Sequence, residues 1–122
     1  MKIPRIALAF IAAVAWLASS TAGAHAFLDH AVPAAGSTVH KAPHDVRLWF
    51  TEKLEPAFSR VRVADARGKV VDRGDSHVDA TDASVLTVSL PTLAPGSYRV
   101  QWRAVSVDTH VTEGDYTFEI KD

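Results

Sequence analysis

Two short segments far apart in the chain carry side chains that could bind a metal ion. His25 follows Ala22-Gly23-Ala24, and Asp108 and His110 flank Thr109. If His25 is the first residue of a processed chain, its α-amino group and its imidazole Nδ1 can close one chelate ring, since both nitrogens lose their protons near neutral pH. Nitrogen and carboxylate donors of this kind suit copper(II) in a tetragonal geometry. The alternative is that His25, like many histidines near a chain terminus, is exposed to solvent and binds no metal.

The free amino group of His25 depends on removal of the residues before it. The chain opens with two basic residues, continues with an apolar stretch over 6–17, and reaches a small-x-small pattern at 22–24. This order is typical of a cleaved secretory signal. We therefore expect residues 1–24 to be removed on export and residues 25–122 to form the mature chain. Cleavage one or two residues away would abolish the chelate.

Asp108 and His110 lie two positions apart, which allows two interpretations. In an extended segment, residues two apart point to the same side, so the carboxylate and the imidazole would face a common space. The alternative is a polar loop in which Asp108 caps a turn and His110 is exposed to solvent. One Asp-x-His pair is too short a pattern to choose between them.

The composition limits the mature chain to one small exported domain. About 98 residues fit a single compact core. Without Lys2 and Arg5 the formal charge is about −3, and no basic run with interleaved aromatic residues indicates nucleic-acid binding. No second apolar stretch is long enough to span a bilayer. Cysteine is absent and the one methionine is Met1, so the metal donors of the mature chain are nitrogen and oxygen atoms.

Short alternating runs separated by turn residues predict an all-β domain. Predicted strands cover 46–50, 59–64, 69–72, 85–90, 97–106 and 116–120, with a turn at 65–68, a loop over 74–84 and a break in the pattern at 113–115. About seven strands indicate an immunoglobulin-like, Greek-key antiparallel β-sandwich, with a small barrel as the alternative. Trp49 and Trp102 alternate with polar neighbours, which predicts that both are core residues.

Four sequence blocks, in the same order, resemble the CopC family of periplasmic copper-binding proteins. They are His25-Ala26-Phe27-Leu28 with the Pro-Ala-x-Gly-Ser pattern at 33–37, the strand 46–52 ending in Phe-x-Glu, the Pro-Gly-x-Tyr-x-Val-x-Trp pattern at 95–102, and the segment 106–118. The resemblance covers essentially the whole mature chain. It implies a Greek-key β-barrel or sandwich that binds one copper(II) through the α-amino group and imidazole of His25, the carboxylate of Asp108 and the imidazole of His110.

The resemblance has further implications for residues near this site. Glu52 matches a family carboxylate, to which we assign a supporting or structural role before a bond to metal. Some members also hold copper(I) in a methionine-rich site, and since Met1 would leave with the signal we expect no such site here. The other histidines are expected to be exposed or satisfied locally, and His30 is near enough to the chelate to tune it. These are His30, His40, His44 and His77.

The expected function follows from the same resemblance. It implies a monomeric periplasmic protein, not an enzyme, that sequesters or carries copper(II) in copper homeostasis or resistance. A CopD-like inner-membrane transporter is the implied partner. Neither nucleic acid nor a membrane span of its own is expected.

Two other functions stay open on the sequence alone. An N-terminal histidine that chelates copper is also the arrangement of lytic polysaccharide monooxygenases, which share a β-sandwich core. Those enzymes are generally larger, and a charged Asp108 donor should oppose the copper reduction with which oxygen chemistry begins. The second alternative is an immunoglobulin-like adhesion or assembly domain with an incidental metal site.

Overall fold

The computed structural model describes residues 27–122, which form two four-stranded β-sheets around one core. The strands are β1 (Leu28–Val32), β2 (Thr38–Val39), β3 (Asp45–Phe50), β4 (Arg60–Asp65), β5 (His77–Val78), β6 (Val85–Ser89), β7 (Gly96–Val105) and β8 (Val111–Ile120), with a 3₁₀ turn at Pro56–Phe58. One sheet has the order β1-β3-β6-β5 and the other β2-β8-β7-β4. The expected signal over residues 1–24 and His25 lie outside the described residues. Within 27–122, no helix is long and apolar enough to cross a membrane.

The predicted all-β sandwich is confirmed, with differences in its smallest strands. The described residues form eight strands instead of about seven, because β2 and β5 have two residues each and show no periodicity. β5 lies within the predicted loop 74–84, and the predicted strand 69–72 contributes only an isolated bridge between Ala64 and Val70. β2 pairs with β8 in parallel, whereas the other described strand pairs are antiparallel.

β8 runs without interruption, so the expected break at 113–115 is wrong. Gly114 lies opposite Trp102 on β7. A Cβ atom at position 114 would lie 2.4 Å from Trp102 Cζ2, so only glycine lets the indole lie across the strand. Here glycine marks a close approach between side chain and backbone within a continuous strand.

The core lies between the two sheets and follows the period-two alternation. The fully buried large side chains are Phe118, Leu48, Leu54, Leu86, Val46, Val61, Val63, Val88 and Val100. Burial of side chains of this kind stabilises the fold by about 1.5–3 kcal/mol each. Trp102 packs half-buried against this core. The prediction that Trp49 is a core residue is wrong, because its neighbours Leu48 and Phe50 take the inward positions and Trp49 stacks on His30 with ring centroids 4.4 Å apart.

One end of the sandwich joins the two sheets through the backbone. The β7–β8 connection, Ser106–His110, runs beside residues 51–55, which follow β3. Two backbone hydrogen bonds join them and together form the isolated bridge Leu54–Ser106: the Glu55 N–H donates to the Val105 carbonyl at 2.7 Å, and the Val107 N–H donates to the Lys53 carbonyl at 3.0 Å. Side chains from both sheets therefore meet at this end.

Candidate metal site

Three side chains from these two segments form a compact cluster, called here the acidic cluster. Glu52, Asp108 and His110 each offer a ligand atom, and these atoms all lie within 4.8 Å of one another. His110 Nδ1 is 3.4 Å from Asp108 Oδ1 and 3.9 Å from Glu52 Oε2. Two carboxylates and an imidazole at this spacing could hold one metal ion between them.

The Ser106–His110 segment is a tight turn. The Thr109 N–H donates to the Ser106 carbonyl and the Ser106 N–H donates to the His110 carbonyl, both at 2.9 Å. Thr109 has φ 72°, a left-handed conformation that is uncommon outside glycine. Asp108 and His110 do face a common space, but the extended-segment explanation for their convergence is wrong because the chain turns between them.

Beneath this turn, the hydroxyl of the fully buried Ser106 connects the two residues. It accepts a hydrogen bond from the His110 backbone N–H at 3.0 Å and donates one to Asp108 Oδ1. The Ser106 hydrogen bond is the main cause that lowers the pKa of Asp108 below its ordinary value, and the neighbouring His110 lowers it further. Asp108 is thus ionised at neutral pH. Sequence reasoning missed Ser106 as a residue of this site.

Glu52 shows the clearest sign of a missing partner. Its Oε2 atom is buried and accepts no hydrogen bond from the described part of the chain, although the side chain as a whole is 38% exposed. A buried carboxylate oxygen without a donor is costly, and a cation beside it would remove that cost. The acidic cluster therefore fits a bound cation.

The first described residue, Phe27, is bonded to the segment that carries Glu52. The Phe27 carbonyl accepts hydrogen bonds from the Thr51 N–H at 2.9 Å and the Thr51 hydroxyl at 3.3 Å. Thr51 adjoins Glu52 in the chain. His25 itself lies outside the described residues.

The other histidines in the described range lie outside the acidic cluster. His30 Nδ1 is 2.7 Å from Asp29 Oδ2, and its ring stacks on Trp49. His77 Nδ1 is 2.7 Å from the Asp75 carbonyl oxygen. His40 and His44 are exposed. All four are exposed or partnered locally, as expected.

Comparisons with known proteins agree with this fold and sequence. The profile of the CopC domain matches residues 28–121. Protein YobA of Escherichia coli is 37% identical over 106 residues, which cover 86% of each chain. The crystal structure of CopC from Methylosinus trichosporium matches with a TM-score of 0.69 and 38% identity, over 80% of this chain and 94% of that one. PcoC of Escherichia coli, described as a methionine-rich copper resistance protein, matches with a TM-score of 0.70 and 35% identity, over 80% of this chain and 100% of its own. This chain therefore belongs to the CopC family.

Proposed function

We propose that this protein binds copper(II) in the periplasm and sequesters or carries the ion. One site per mature chain is built from the α-amino group and imidazole of His25, the carboxylate of Asp108 and the imidazole of His110. The observation that carries the proposal is the convergence of Asp108 and His110 beside the buried, unpartnered oxygen of Glu52. Copper resistance, the function stated for PcoC, supports copper as the ion.

The donor types favour copper(II) over copper(I). Copper(I) prefers thiolate and thioether sulfur, whereas imidazole, amine and carboxylate suit copper(II). The chain has no cysteine, and its one methionine is Met1. We therefore propose no separate copper(I) site, in contrast to what a methionine-rich relative can offer.

The chain's own residues prepare the site for the ion. The Ser106 hydroxyl orients the Asp108 carboxylate and keeps it ionised, while its bond to the His110 N–H fixes the backbone that presents the imidazole. The ionised carboxylate of Asp108 opposes a gain of electrons by the ion. These features support a carrier in preference to an oxidative enzyme.

Exposure of the site supports transfer of the ion to another protein. The His110 side chain is 72% exposed and that of Asp108 54%. A ligand at the surface can be replaced by a partner's ligand without opening the core. A CopD-like inner-membrane transporter is the partner that we propose, and capture of such a protein from a membrane fraction by the copper-loaded mature chain, but not by a His110→Ala variant, tests it.

The decisive experiment is electron paramagnetic resonance of the processed protein with one equivalent of copper(II). A matched control carries one extra residue ahead of His25, which converts the amine into an amide. The processed protein should show a type 2 signal with nitrogen and oxygen donors, and the extended form should lose or alter it. Identical spectra would show that His25 is not a ligand.

Two further measurements separate this proposal from its alternatives. Copper titration should saturate at one equivalent of copper(II), and tight binding of an additional copper(I) would contradict the single site. Incubation of the copper-loaded protein with a reductant and chitin or cellulose should release no oxidised sugar. Release of oxidised sugar would identify an oxidative enzyme.

A further inference from the structure

The outward face of β4 and β7 carries a concentration of arginines. Val61 and Val63 take the buried positions of β4, so Arg60 and Arg62 lie on its solvent side. The same alternation places Arg99 and Arg103 outward on β7. These are four of the seven arginines in residues 27–122, in a chain whose formal net charge is −1.

Two of these arginines are neutralised within the fold and two are not. Arg99 pairs with Asp115 at 3.2 Å and Arg103 with Glu113 at 3.1 Å, both on β8. Within the described range, Arg60 and Arg62 form no ion pair. Arg60 also lies directly opposite Arg103 in the strand register, where like charges destabilise a strand pair. No ion pair within the described range therefore accounts for the charge of Arg60.

A shallow cleft of about 240 Å³ lies among these residues, lined by Arg60, Arg62, Gln101, Trp102, Arg103 and Glu113. Apolar side chains continue the surface toward the β7–β8 turn. Phe58, just before β4, is 63% exposed, and Val111, at the start of β8, is 53% exposed. Val105 joins them, because it pairs with Val111 and its N–H bonds the Ser59 hydroxyl next to Phe58. Arginine beside aromatic side chains is typical of the energetically important part of protein interfaces.

We propose that this arginine face, defined by Arg60, Arg62 and Arg103, docks an acidic segment of a partner protein. Complementary charge is the argument for the acidic segment, since two guanidinium groups are left without carboxylates. Arg60 and Arg103 form the last pair of the β4–β7 ladder before the turn that carries Asp108 and His110. The partner would therefore lie beside the acidic cluster. Exchange of copper with that partner rests on the proposed function, whereas docking itself does not.

The distribution of charge favours a narrow protein segment over a flat anionic membrane. β8 carries Glu113 and Asp115 on the same outward face, directly opposite Arg103 and Gln101. A membrane surface would meet these carboxylates as well as the arginines. A single segment along β4 would meet the unpaired guanidinium groups first.

The edge of β4 is closed to an added strand, so the partner must use the face. The Val61 N–H donates to the Ser76 hydroxyl and the Val63 N–H to Asp72 Oδ2, both at 2.8 Å. The Asp65 N–H donates to the Lys69 carbonyl at 2.9 Å, so the outward-facing backbone donors of β4 are already occupied.

The test is titration of a glutamate-rich synthetic peptide containing one leucine into the ¹⁵N-labelled mature chain, with and without copper. Amide signals of β4 and β7 should shift. The double variant Arg60→Glu/Arg62→Glu should bind the peptide at least about tenfold more weakly. The matched control Arg67→Glu/Lys69→Glu changes the net charge equally at the exposed turn beyond the other end of β4, and should change binding less than about threefold. Equal losses in the two double variants would overturn the proposal.

Two further probes decide between ligand classes. Phosphatidylglycerol vesicles that bind more tightly than the peptide, and lose binding in Arg60→Glu/Arg62→Glu, would overturn the protein partner in favour of a membrane. Inorganic phosphate that displaces the peptide at equal concentration would reduce the face to a small-anion site. The thermal midpoint of the double variant should not fall, because Arg60→Glu replaces a like-charge pair with an opposite one. Its copper(II) spectrum should match the wild type, so a failed docking proposal and a failed copper proposal give different results.

Discussion

Two acidic regions of this molecule use the same chemical group in opposite ways. In the aspartate loop, residues 72–84, carboxylates accept hydrogen bonds from neighbouring groups. Asp79 Oδ2 accepts from the N–H groups of Thr81 and Asp82 at 3.0 and 3.1 Å and from the Thr81 hydroxyl at 2.6 Å. In the acidic cluster, Asp108 Oδ1 accepts one side-chain hydrogen bond, from the Ser106 hydroxyl, and Glu52 Oε2 accepts nothing from the described residues. Carboxylates supplied with donors hold a loop in place, whereas those short of donors remain available to an ion.

The largest effect should come from removing a charge in the acidic cluster. Asp108→Asn should weaken copper(II) binding at least about 100-fold, because a neutral amide is a poor ligand for this ion. Competition with a chelator of known affinity measures it. The matched control Asp79→Asn should leave copper affinity unchanged, and equal losses in both variants would remove the distinction between the two regions.

Ser106→Ala should affect binding and folding together. It deprives the His110 N–H of its acceptor and Asp108 of its donor, so copper affinity should fall about tenfold. The free energy of unfolding should fall by about 1–3 kcal/mol, since a buried N–H loses its partner. Ser84→Ala, which removes a comparable hydroxyl donor to Asp82 at 2.7 Å in the aspartate loop, should leave copper affinity intact. A normal affinity in Ser106→Ala would show that the hydroxyl does not orient the ligand.

Asp72→Ala should destabilise the fold without changing the affinity for copper(II). Its Oδ2 accepts the N–H of Val63, a fully buried residue, and its Oδ1 accepts the Gly74 N–H at 2.8 Å. Loss of these acceptors should lower the unfolding free energy in urea by about 1–3 kcal/mol. Asp45→Ala, which removes an exposed ion pair with Arg47 at 3.3 Å, should change it by less than about 1 kcal/mol. Similar values for the two would contradict the structural role of Asp72.

The smallest effect is a pH dependence of stability from the aspartate loop. Hydrogen bonds from Ser89, Thr81 and Ser84 are the main causes that lower the pKa values of Asp75, Asp79 and Asp82, respectively, below the ordinary value. A lowered folded-state pKa gives stabilisation that is present above about pH 4 and is lost as the pH falls through the folded value. The thermal midpoint should therefore decrease as the pH is lowered below about 4. The decrease should be less steep in Asp79→Asn. If the curves of thermal midpoint against pH for the wild type and Asp79→Asn ran parallel, the acid sensitivity would come from other groups.

The long strands were predictable because the alternation of apolar and polar residues along the sequence indicates which face of a strand is buried. Segments 46–50, 85–90 and 97–106 each lie within one residue of the observed strands. Strands β2 and β5 could not be predicted, since two residues have no period. The role of Gly114 depended on Trp102, a residue on another strand, so the local pattern resembled a turn.

The candidate site was only partly predictable for the same reason. The spacing of Asp108 and His110 indicated that they meet, but the turn that brings them together depends on buried Ser106. Glu52 joins them through tertiary contacts such as the Leu54–Ser106 bridge, which no local pattern encodes. His25 came from the signal pattern and the family resemblance, and it stays a prediction.

The hydrogen bonds between Phe27 and Thr51 fix the backbone two residues after the proposed N-terminal ligand, His25. With a tether of two residues, the amine and imidazole would be held at a high effective concentration around the ion, whatever their concentration in solution. Each protein molecule would then complete its own coordination sphere in an intramolecular step, and free amines and imidazoles in its surroundings would compete poorly for the same position.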